Sequence, residues 1–206
     1  MTCTRLEATA SRGKALARRA ITAAIAMAAA ACAGQSMYGP AISYNYVDSP
    51  YSPGEVGYAA GGRDLEVVVR GNPFAARGVS DAALDDAVID AMDDQPGWLV
   101  TNYTTTPGET ARGLYRVVWL FGVPANTSIY AICTDRYGAA VDTGGGSMMA
   151  AFCRGDKPLS YLGGTLADIE TPDDRRFTGL VRIATRQLFP HFDPNKDDRD
   201  KGDLLN

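Results

Sequence analysis

Residues 65–105 read LEVVVRGNPFAARGVSDAALDDAVIDAMDDQPGWLVTNYTT, and the fold class turns on them. Leu65, Val67 and Val69 alternate with Glu66, Val68 and Arg70, the period of two that marks a strand. Gly71-Asn72-Pro73 breaks that period with residues that favour turns. From Ser80 the spacing changes. Leu84, Ala87, Val88 and Ala91 recur every three or four residues, the stripe of a helix over 80–92. Ser80 can accept from the free N–H groups of the first turn, and Asp81 sits where the helix dipole favours an anion. Gln95-Pro96-Gly97 stops the helix. Residues 98–105 (WLVTNYTT) then read as a second strand, ended by Pro107-Gly108.

Working outward, Tyr115, Val117, Trp119 and Phe121 share one face of a third strand, YRVVWLF. Residues 129–134 read as a short fourth strand. Residues 147–153 (SMMAAFC) read as a fifth, with helix as the alternative because of their Ala and Met content. Thr171-Pro172-Asp173-Asp174 signals a helix start: a capping hydroxyl, Pro at the first helical position, then acids. Phe177, Leu180, Val181, Ala184 and Leu188 form its apolar stripe, and Pro190 closes it. The order is strand, helix, four strands, helix, and each helix has a single apolar face. The expectation is an α+β fold: a four- or five-stranded, mainly antiparallel sheet with two helices packed on one face.

With 206 residues, 46% of them apolar, the chain suits one packed core with tails. Residues 61–190 are expected to form that single α+β domain. Residues 32–60, rich in Gly, Ser, Pro, Tyr and Asn, read as an extended tether, and 191–206 as a polar, acidic tail.

Residues 1–31 read as a signal peptide. Five cations (Arg5, Arg12, Lys14, Arg18, Arg19) face one acid, Glu7, and a twelve-residue apolar run from Ala20 follows. That run would be about 18 Å long as a helix, too short for a hydrocarbon core of about 30 Å. Removing the segment takes the net charge from −4 to −8, which disfavours nucleic acid as a partner. Ala29-Ala30-Ala31-Cys32 resembles a bacterial lipobox, although Ala29 stands where Leu is usual. The resemblance implies a lipid anchor on Cys32. Cleavage at the A-x-A pattern Ala31-Cys32-Ala33 is the alternative and implies a soluble periplasmic protein. Ala33 leaves the periplasmic face of the outer membrane open as the destination.

Export also decides the cysteines. Cys3 leaves with the signal and Cys32 is lipidated or removed, so Cys133 and Cys153 remain as the natural disulfide pair, with two buried thiols as the alternative.

No catalytic residue, metal site or cofactor is expected. Gly144-Gly145-Gly146-Ser147 lacks the Lys of a phosphate loop and the G-x-S-x-G of a nucleophile elbow. Asp193, Asn195, Asp197 and Asp200 match part of a calcium loop, but Asp198 replaces its turn glycine and Leu204 stands where the bidentate acid belongs. His191 follows a helix end with no nucleophile evident beside it. Asn102, Thr104 and Thr106 form a polar stripe at strand spacing that suits a sugar or peptide, or equally the wet face of a half-buried sheet.

Arg63-Asp64-Leu65, Gly71-Asn72-Pro73-Phe74, Thr101 through Pro107, Tyr115-Arg116-Val117-Val118 and Cys153-Arg154-Gly155 resemble runs in uncharacterised exported proteins of alphaproteobacteria. That resemblance covers about residues 60–190 and implies location rather than activity. The leading expectation is a non-enzymatic envelope lipoprotein, an assembly or accessory factor with an envelope protein partner. A periplasmic glycan- or peptide-binding module is the alternative. A hydrolase built on facing carboxylates is the third, and it requires two acids across a cleft.

Overall fold

The computed structural model describes residues 39–124, 127–136 and 146–192. The signal segment, Cys32, the start of the tether, Gly144-Gly145 and residues 193–206 of the tail lie outside the described residues.

Among these residues the chain forms six strands and four helices: β1 (Ala41–Val47), α1 (Pro53–Ala60), β2 (Asp64–Arg70), α2 (Asp81–Met92), β3 (Asn102–Thr104), β4 (Tyr115–Phe121), α3 (Ile129–Cys133), β5 (Ser147–Arg154), β6 (Lys157–Thr165) and α4 (Arg175–Leu188). One sheet runs in the order β1-β6-β5-β4-β2-β3. Strands β1, β6, β5 and β4 pair antiparallel, whereas β2 is parallel to both β3 and β4. The sheet is therefore six-stranded and mixed, with four helices. This corrects the expectation of a four- or five-stranded, mainly antiparallel sheet with two helices on one face. The physical reason lies in the opening stretch. Strand β2 leads into α2, which returns the chain to the end from which β2 started, so β3 must run parallel. Local periodicity identifies strands and carries no information on their direction.

The sheet is covered on both sides. One face holds the larger core, where Trp119, Phe121, Phe152 and Val67 meet Val88 of α2 and Phe177, Leu180 and Val181 of α4. On the opposite face Val118, Leu120, Met149 and Ala151 pack under Ile132 and Cys133 of α3. Strand β4 is consequently buried on both faces rather than on the expected one, as central strands of parallel character usually are. The segment IYAIC was expected as a strand and is α3. Ile129, Ile132 and Cys133 also satisfy helical spacing, and tertiary burial overrides their β propensity. A disulfide joins Cys133 to Cys153 of β5, with Cα atoms 5.7 Å apart. It clamps α3 onto the sheet, helped by Arg116, whose guanidinium donates to the Cys133 carbonyl oxygen.

Two further elements occupy the stretch expected as a tether. Tyr51, Val56, Ala59 and Ala60 are buried in the main core, so α1 belongs to the folded body. Ser52 caps it by accepting from Glu55 N at 3.1 Å. Glu55 then accepts from the Tyr115 hydroxyl at 2.6 Å and from Arg154 Nη1 at 2.8 Å. The Tyr115 hydrogen bond, then Arg154, holds the Glu55 carboxyl below the usual carboxylate range. Strand β1 is the sheet's outermost member on one side. It lies close over β6, where the Tyr44 ring occupies the space above Gly163 that any side chain there would need.

Ser80 caps α2 as expected, accepting from Ala83 N at 3.2 Å. Helix α4 starts later than its Thr-Pro signal, with Asp174 as the cap accepting from Arg176 N at 2.8 Å. The stripe read from sequence, Phe177 to Leu188, is the buried face.

Candidate ligand groove

The carboxyl end of α4 faces the molecule rather than water, and that sets a problem. The last carbonyls of any helix lack intrahelical partners and are costly to bury unpaired. Three side chains from three separate places answer it. Ser160 Oγ of β6 donates to Leu188 O at 2.6 Å. Trp98 Nε1, from the turn after α2, donates to Phe189 O at 3.0 Å. Tyr51 Oη, from the segment before α1, donates to Pro190 O at 2.7 Å. The donors fix the orientation of an indole at the surface, and His191 packs beside it with ring centroids 5.1 Å apart.

Trp98, Phe189, Pro190 and His191 line a groove of about 760 Å³. Asn45, Tyr46 and Val47 of β1 line it too, as does Gln187 of α4. A second hollow of about 530 Å³ lies on the other side of Gln187, between Ala41 and Ile42 of β1 and Leu180 and Ile183 of α4. Both hollows are walled by β1 and α4, so they follow the sheet edge from one end of β1 to the other. The larger is of the size and mainly apolar character of small-ligand sites. The side-chain Oε1 of Gln187 is buried there with no hydrogen-bond partner among the described residues. An acceptor left in that state costs about 1–3 kcal/mol. Arg186 lines the same groove and makes no ion pair among the described residues.

The polar stripe of Asn102, Thr104 and Thr106 lies elsewhere, at the opposite edge of the sheet. Asn102 Nδ2 donates to Asp64 Oδ1 at 2.8 Å, and Thr104 Oγ1 accepts from Thr106 N at 3.1 Å. Asp64 also accepts from Gly108 N at 2.8 Å and its N–H donates to Thr110 Oγ1 at 3.1 Å. The Asn102 and Gly108 hydrogen bonds hold the Asp64 carboxyl below its usual range. The stripe thus ties the connection between β3 and β4 to the start of β2. The strand expected over 98–105 contracts to β3 because Trp98 and Leu99 are taken up by the turn, with Leu99 N donating to Pro96 O at 2.9 Å.

The acids of α2 do not face one another across a cleft. Asp81 and Asp85 stand one turn apart on the same helix, beside Arg70 in a hollow of about 200 Å³. Burial, then Asp81, raises the Asp85 carboxyl above its usual range, but no opposing acid completes a hydrolytic pair there among the described residues.

Sequence reasoning missed the groove because its parts are scattered over 45–47, 96–98 and 186–192. The available signal was Trp98 next to a Pro-Gly turn, an amphipathic aromatic outside any apolar stripe. Among the described residues no helix is long and apolar enough to cross a membrane. No family model matches the chain, and no curated protein and no solved structure matches it.

Proposed function

We propose that this chain is an exported envelope protein, lipid-anchored at Cys32, whose folded domain is a binding module for a peptide or glycan. The groove between β1 and α4 is its site. One observation carries the binding reading: a preformed, largely apolar groove holds a main-chain-anchored indole and, without partners among the described residues, a buried amide oxygen and a guanidinium. Such a combination orients a ligand through a few polar groups on an apolar floor. An assembly factor that worked only as a spacer would have no use for it. The bridge between Cys133 and Cys153 supports the export reading, because disulfides persist in oxidising compartments.

Trp98 offers a direct assay. The chain has two tryptophans, and Trp119 is fully buried with its Nε1 3.3 Å from Met92 Sδ. A ligand entering the groove therefore changes the emission of Trp98 alone. Titrating peptide and oligosaccharide pools is expected to give a saturable change that Trp98→Phe abolishes. Gln187→Leu should weaken binding about fivefold, the worth of one hydrogen bond of about 1 kcal/mol. If neither pool alters the emission, the groove is not a ligand site. The anchor is tested separately: Cys32→Ala should move the protein from the membrane fraction to the soluble periplasmic one, and an unchanged distribution would refute it.

A further inference from the structure

Natural sheets protect their edges with short strands, charges, prolines or bulges. The β3 edge follows that rule, being three residues long. The β1 edge departs from it. Strand β1 has seven residues, AISYNYV, with no charge and no proline, and among the described residues it pairs only with β6. Its single irregularity is the register shift between Ile42 and Tyr44.

The phase of the β1–β6 ladder shows which backbone groups are open. Asp48 N donates to Leu159 O at 2.8 Å, so residues 48 and 159 form a hydrogen-bonded pair. Such pairs alternate along an antiparallel ladder. Tyr46 with Tyr161, and Tyr44 with Gly163, are therefore also hydrogen-bonded pairs. Asn45 and Val47 fall between them and direct their N–H and C=O groups out of the sheet. Both line the larger hollow beside Trp98, together with Tyr46 between them. Free main-chain groups and a side-chain groove therefore coincide on one edge.

We infer that the ligand of this groove is an extended acidic polypeptide segment, which adds to β1 as a seventh strand. The inference rests on the groove being a ligand site and names its ligand. Alternate side chains of the added strand enter the hollows between β1 and α4, as in other recognition by strand addition. At about 3.3 Å per residue, the seven residues of β1 accept a segment of about six or seven. Arg186 supplies the charge preference, since among the described residues the larger hollow is lined by Arg186, His191 and Tyr46 and by no carboxylate. In the second hollow Arg176 is already neutralised by Asp174 at 2.6 Å. A glycan offers no regular ladder of donors and acceptors to match Asn45 and Val47. A second copy of β1 has the ladder but no carboxylate for Arg186. The chain's own residues 193–206 have carboxylates but no β-branched or aromatic residue to favour a strand.

The test uses the full chain and a degenerate pool of acidic heptapeptides with alternating apolar positions. A selected peptide is expected to shift Trp98 emission and slow amide exchange at Asn45 and Val47 at least tenfold. N-methylation of alternate peptide amides should cost at least tenfold in affinity. Exchanging the peptide's acids for Lys should cost about threefold to fivefold, a difference that Arg186→Gln erases. Four results overturn the inference. If a peptide shifts Trp98 but N-methylation and amide exchange are indifferent, the groove binds without strand addition. If only oligosaccharides shift Trp98, the groove reading survives and the polypeptide does not. If Asn45 and Val47 are already protected in the free chain, and ending it at Phe192 or diluting a dimer releases them, the occupant is the tail or a second copy. If nothing shifts Trp98, both readings fail together.

Discussion

Replacing Cys133 and Cys153 together by Ser lowers the unfolding free energy by about 3 kcal/mol, the loop-entropy value for a separation of 20 residues. For a domain of this size that corresponds to a Tm lower by about 10 °C. Position strengthens the expectation. Both cysteines are fully buried, and the bridge is what fastens the five-residue α3 over Val118, Leu120 and Ala151. A helix that short has little stability of its own. Losing the bridge should therefore loosen α3 first, and amide exchange in 129–133 should rise before that of β4. Urea unfolding of oxidised, reduced and doubly substituted protein measures the effect. Equal midpoints for all three would show that α3 is held by packing alone.

The second large effect is expected at Phe177. Its ring is fully buried at the start of α4, 5.7 Å from the Phe74 ring and 6.0 Å from that of Phe121. Phe177→Ala should cost about 3–5 kcal/mol, through lost transfer energy and the cavity left behind. Ile183, on the same helix but 44% exposed, serves as the internal comparison, and Ile183→Ala should stay within about 0.5 kcal/mol. Helix α4 supplies one wall of the groove, so the Phe177 variant should also lose ligand-induced Trp98 emission changes at denaturant concentrations that leave the native chain intact. A cost below about 1 kcal/mol would mean that α4 is not seated on the sheet as described.

The parts of this fold that sequence made legible are those with local causes. Ser80 caps α2, and Phe177 through Leu188 bury along α4, because capping and a 3.6-residue stripe are written into neighbouring residues. Strand β5 came through despite its Ala and Met content. What sequence hid has distant causes. Strand β6 carries Pro158 and the Gly163-Gly164 pair, both of breaker composition, and only the pairing with β1 shows why the two glycines are there: a side chain at either would meet Tyr44 or Ala41. Strand β1 is surrounded by Gly, Pro and Ser, which read as a tether, although its Tyr and Val positions suit a strand. The direction of β2 relative to β4 depends on the crossover through α2 and β3, and no local pattern contains it. The groove has the same character. Asn102, Thr104 and Thr106 have the composition of a site and hold a loop, whereas Trp98, Gln187 and Asn45 meet only once the sheet is built.

Strand addition requires that the main chain of β1 be open on its outer side. Residue-resolved amide exchange on the free, full-length protein reads it directly. Tyr44 and Tyr46, bonded to β6, should be protected, while Asn45 and Val47 should exchange close to the rate of an unstructured chain. Equal protection at all four positions in the free protein would contradict the account, because the edge on which the ligand is meant to build would already be covered.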